Sequence, residues 1–72
     1  NGSLIQEESS FLAKRLEREA GADRGAQIDR AFNLILSRDP RAPELKRFES
    51  SGLPLESICR VLLNSNEFLY VE

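Results

Sequence analysis

The residues with a capacity for chemistry are few in kind. Glu7, Glu8, Glu17, Glu19 and Glu56 could form acid/base pairs, Cys59 could serve as a nucleophile, and Arg41, Lys46 and Arg47 could meet phosphates. With no histidine and a single cysteine, neither a His-dependent triad nor the usual His/Cys zinc sets can be assembled, and no disulfide can close within the chain. Acid/base work needs carboxyls held in a cleft with displaced pKa values. These carboxylates instead sit among basic residues, as in Lys14-Arg15-Leu16-Glu17-Arg18-Glu19, the pattern of a solvated helix face. Cys59 has apolar neighbours, which predicts a buried and inert thiol. No catalytic residue, cofactor or metal is expected.

Charge argues against nucleic acid. Ten basic and twelve acidic residues leave a formal net charge of −2, whereas nucleic-acid modules gain most of their affinity by neutralising phosphates. A helix-turn-helix reading of Arg41, Lys46 and Arg47 also meets a proline, Pro40, in the turn before them. The longest apolar runs are far too short to span a bilayer. At 72 residues the chain, read as one domain over 1–72, has room for a single core of marginal stability.

The elements that would position these side chains are all helical. Ile5, Leu12, Leu16 and Ala20 share a stripe, with Ser9 in its gap, Phe11 widening it and Ser3 as a candidate N-cap. Gly21 suits a helix end and Asp23 a new N-cap. Ile28, Ala31, Phe32 and Ile35 follow the i, i+3, i+4, i+7 pattern, while Leu34 and Leu36 make the second helix apolar on more than one side and therefore central. Pro40 ends it. A short third helix follows, with Pro43 in its first turn, Glu44 near its positive end, and Leu45 and Phe48 as anchors. Ser50-Ser51-Gly52 closes it and Pro54 opens a fourth helix. Leu55, Ile58, Cys59 and Leu62 form that helix's buried face, broadened by Val61 and Leu63. Asn64-Ser65-Asn66 breaks it. The prediction is an all-α fold, a small bundle of about four helices. Its core is Leu12, Leu16, Ile28, Ala31, Phe32, Ile35, Leu45, Phe48, Leu55, Ile58, Leu62 and Phe68.

Residues 31–40, from Ala31-Phe32 to Arg38-Asp39-Pro40, together with Pro43-Glu44-Leu45 and the closing Leu62-Leu63-Asn64-Ser65-Asn66-Glu67-Phe68-Leu69-Tyr70-Val71, are similar to a known pattern. They resemble the C-terminal region of a family of large proteins of unknown function, abundant in planctomycete-type bacteria and often accompanying cytochrome-like domains. Glu72 stands where that family's closing phrase usually carries aspartate, Ser37 where glycine is common, and Arg41-Ala42 where a threonine N-cap is usual. The resemblance implies a C-terminal helical piece of a larger, exported or periplasmic protein, with no established activity.

Arg38 and Glu67 both fall in the matching motifs and beside apolar anchors. They are expected to act as a structural clamp, either by pairing or by Arg38 holding backbone carbonyls at the end of the second helix, because a guanidinium can serve several acceptors at once. Solvated end charges are the competing reading. Phe68, Leu69, Tyr70 and Val71 are a candidate interaction patch, with the remainder of the parent protein, another protein or a second copy as partner.

Overall fold

The computed structural model describes residues 2–65, with side chains from residue 4 onwards. Over that span the chain forms α1 (Gly2–Ala20), α2 (Arg24–Leu36), α3 (Ala42–Ser50) and α4 (Leu55–Leu63). Among the described residues there are no strands, so the chain is a small all-α four-helix bundle. Glu67 and Phe68 through Val71 lie outside the described residues.

In α1 the buried stripe runs through Ser9, Leu12, Ala13 and Leu16, with Ile5 and Ala20 half-buried at its ends. Ser9 is completely enclosed, and its hydroxyl donates to the Ile5 carbonyl at 2.6 Å. Satisfied within its own helix, that hydroxyl carries little burial penalty. Phe11 does not widen the stripe. It is 59% exposed, because at about 100° per residue it points away from the arc shared by Ser9, Leu12, Ala13 and Leu16. The small Ala13 takes the flank expected for it, on the helix that packs most extensively against α4. The helix is already under way at Gly2, so Ser3 lies inside its first turn rather than before it.

Gly21 turns the chain at φ 69°, a region costly to side chains with a Cβ. Its N–H bonds the Glu17 carbonyl at 3.0 Å. Two residues later the Asp23 carboxylate accepts from the Ala26 N–H at 3.2 Å and caps α2. Helix α2 is the centre of the bundle. It contacts α1, α3 and α4, burying Ile28, Ala31, Phe32 and Ile35 and half-burying Leu34 and Leu36. Ser37 ends it in the left-handed region at φ 60° and ψ 33°, where glycine is the unstrained choice. Ser37→Gly is therefore expected to stabilise the chain by about 0.5–1 kcal/mol, since relief of the strained φ exceeds the added chain entropy. Urea titration measures it, and an unchanged or lowered midpoint would contradict the assignment.

Helix α3 departs from expectation. Leu45 and Phe48 are half-buried, and none of its residues is fully enclosed. It packs chiefly against α2, so each anchor is covered from one side only. Phe48 nevertheless meets Phe32 edge-on, with centroids 5.8 Å apart and planes at 70°. Gly52 at φ 74° and the extended Pro54 then redirect the chain into α4. Leu55, Ile58, Cys59, Leu62 and Leu63 of that helix complete the core. Val61, expected to broaden this face, is 48% exposed. Asn64 and Ser65 end the helix as expected: the Asn64 amide donates to the Arg60 carbonyl at 3.1 Å, and the Ser65 hydroxyl to that of Leu62 at 2.8 Å.

Candidate functional site

The densest polar geometry lies at the joint between α2 and α3. Arg38 follows the strained Ser37, and its half-buried guanidinium sits 5.3 Å from the Phe32 ring centroid, in cation–π range. From there Nη1 and Nη2 each donate to a Glu44 carboxylate oxygen at 2.9 Å, the two-pronged geometry that favours arginine over lysine. Nη1 also donates to the Asp39 carbonyl at 3.0 Å. Glu44 in turn accepts the Arg41 backbone N–H at 2.8 Å. That is the half of a capping box a carboxylate can supply, and it satisfies a donor at the start of α3, where Arg41 itself has no acceptor to offer. The Arg38 bonds, followed by the Arg41 N–H, hold the Glu44 carboxyl far below the ordinary 4.5, at about 2. Asn33 completes the joint by donating to the Asp29 carbonyl and the Asp39 carboxylate, both at 2.9 Å.

A second tie crosses the other end of α2. Arg24 Nη2 donates to the carbonyls of Phe48 at 3.1 Å and Leu53 at 2.7 Å. The start of α2 is thereby fastened to the end of α3 and to the turn between α3 and α4. Nearby, the Gln27 amide, nearly enclosed, donates to the Gly21 carbonyl at 2.6 Å. Glu19 links α1 to α2. It accepts from Arg15 Nε at 2.8 Å and Arg30 Nε at 3.0 Å, and those hydrogen bonds, Arg15's first, lower its pKa.

Of the expected clamp, the structure places Arg38 on Glu44, and Glu67 falls outside the described residues. Glu44 was legible from the sequence only as a charge near a helix start. Its N3 spacing from Arg41 was the signal that could have marked it as a cap. Arg24 carried no such signal, because its acceptors are backbone carbonyls more than twenty residues away.

Cys59 is fully enclosed, and burial first, then the charge of Glu56, pushes its thiol up to about 11. The thiolate is the reactive form, so iodoacetamide at pH 8 is expected to leave Cys59 unmodified in the folded chain and to alkylate it fully in concentrated urea. Comparable labelling rates in the two conditions would contradict its burial. Arg41, Lys46 and Arg47, the residues of the helix-turn-helix reading, are exposed around the nine-residue α3. Arg41 leans towards Glu44 at 3.6 Å.

An open depression of about 280 Å³ lies between α1 and the start of α4, lined by Ser10, Ala13, Lys14, Glu17, Pro54, Leu55 and Glu56. Of the five carboxylates singled out for acid/base work, Glu17 and Glu56 reach this depression, whereas Glu19 is engaged with two arginines elsewhere. Glu56 in turn lies 3.6 Å from Arg60, one turn along α4. Among the described residues no group of His, Cys, Asp and Glu could hold a metal ion, and no helix is long and apolar enough to cross a membrane. Comparison with family models, with curated proteins and with solved structures returns no match.

Proposed function

We propose that this chain is a non-catalytic helical module with a structural or protein-interaction role in a larger bacterial protein, of the planctomycete-type family its closing phrase resembles. The observation that carries the reading is the use made of the charged groups with the most hydrogen bonds. Arg38, Glu44 and Arg24 make hydrogen bonds to helix ends and turns of the same chain, so groups with a capacity for chemistry serve to join the helices. Large apolar side chains left in solvent, Leu4 at 65% and Phe11 at 59% exposure, supply contact area for a protein surface. The exported or periplasmic setting rests on the family resemblance.

Deletion of residues 1–72 from the longer protein tests the reading. The module account expects the remainder to lose thermal stability or its native assembly while any turnover per folded molecule is retained. A remainder that keeps its melting temperature and assembly but loses turnover would overturn it in favour of an accessory catalytic part.

A further inference from the structure

We propose that the outward face of α1 is an isologous docking surface for a second copy of this chain, the two α1 helices lying antiparallel about a two-fold axis at Phe11. The inference rests on the module reading above and names its partner. Leu4 and Phe11, the most exposed large apolar residues described, are seven positions apart, which places them within about 20° on the helix surface. Their face is flanked by acidic residues in its first half, Glu7 and Glu8, and by basic residues in its second, Lys14, Arg15 and Arg18; all are exposed except the half-buried Arg15, which keeps its Nε bond to Glu19 and turns its remaining charge to this face.

An axis through Phe11 makes that asymmetry self-complementary. It sets position 7 of one copy beside position 14 of the other, on one shared flank, within about one residue rise of 1.5 Å. It sets position 8 beside position 15 on the opposite flank with the same offset. Each copy thus contributes Glu7 against Lys14 and Glu8 against Arg15, so the symmetric pair has every such contact twice. Position 4 falls opposite position 18, where the aliphatic stem of Arg18 covers Leu4. The two Phe11 rings meet at the axis. A parallel arrangement would instead oppose like charges along both flanks. The apolar area is small, so the association is weak, with a Kd roughly between 0.1 and 1 mM.

Sedimentation equilibrium of the chain from micromolar to millimolar concentration tests this. The apparent mass is expected to rise from 8.1 kDa towards twice that value, more readily in low salt than in high salt. Phe11→Asp, with helicity verified by circular dichroism, is expected to weaken association about tenfold. Glu7→Lys and Lys14→Glu, each alone, pair like charges between copies and should weaken it. Their equimolar mixture restores opposite charges at both contacts and should associate at least about threefold more tightly than either alone.

A folded wild-type chain that stays at 8.1 kDa throughout would overturn the second copy as occupant, as would amide protection of α1's outward face in a monomeric longer protein. Dimerisation indifferent to Phe11→Asp and to mixing would overturn the face. None of these results changes the deletion experiment, so failure of this proposal is distinguishable from failure of the module reading.

Discussion

Phe32→Ala is expected to bring the chain close to unfolding, lowering its melting midpoint by more than about ten degrees. Phe32 is 1% exposed at the centre of the helix that touches all the others, and removing a buried phenyl costs about 3–5 kcal/mol in transferred surface and residual cavity. The loss is larger than burial alone suggests, because the ring also supports Phe48 edge-on and lies beneath the Arg38 guanidinium. A domain of this length has a total stability of roughly 4–11 kcal/mol, so the substitution consumes much of it. Thermal melting followed by circular dichroism reads the outcome. A midpoint within two or three degrees of the parent chain (about half a kcal/mol at this size) would contradict the central position of Phe32.

The joint between α2 and α3 should fail more gradually and in a pH-dependent way. Glu44 has a folded pKa of about 2 against an ordinary 4.5, so its contribution is fully present above pH 4.5 and is lost as pH falls towards 2. The carboxylate keeps 27% of its side-chain surface in solvent, so screening reduces the contribution to about 1–2 kcal/mol. Glu44→Gln should remove that part of the acid sensitivity, and Arg38→Met should remove the larger share of it together with the stacking on Phe32, leaving the share due to the Arg41 N–H. Stability measured by urea titration at pH 7 and pH 2.5 checks this. If the glutamine variant lost as much stability as the wild type between those two values, Glu44 would not hold the proton-sensitive contact. Glu19, its pKa lowered by Arg15 and then Arg30, acts in the same direction and accounts for residual acid sensitivity in both variants.

Much of the architecture was written in local chemistry. Gly21, Pro40 and the Gly52–Pro54 turn punctuate the chain where the helices stop, because each imposes a backbone geometry that a continuing helix rejects. The stripes of α2 and α4 are legible for a different reason. Their β-branched, leucine and phenylalanine residues recur at helical spacing, and burial follows periodicity when a helix is packed from several sides.

The misreadings share a cause as well. Phe11 drew attention by its volume, but angular position decides burial, and the smaller Ala13 occupies the packed flank. Leu45 and Phe48 have suitable spacing and lack a second neighbouring helix to enclose them.

The site was less legible than the fold. Arg38 stood out because a guanidinium beside a helix end and an apolar anchor has acceptors within reach. Its contact with Glu44 depends on how the four residues between Ser37 and α3 bring α3 back against α2, and periodicity does not encode that path. The ties from Arg24 to distant carbonyls and from Gln27 to the carbonyl of Gly21 are equally silent in sequence, since every backbone carbonyl looks alike there. Cys59 was the easy case, because its reactivity follows from burial and its burial follows from its stripe.

The charged residues at the helix joints fasten α2 to α3 and to the turn before α4. The coupling free energy between positions 38 and 44, from urea titrations of Arg38→Met, Glu44→Gln and the double variant at pH 7, tests this most directly. A coupling of about 1–2 kcal/mol is predicted for a two-pronged, partly enclosed pair. A value indistinguishable from zero, with a comparable coupling found instead between Arg38 and Glu67, would contradict the account.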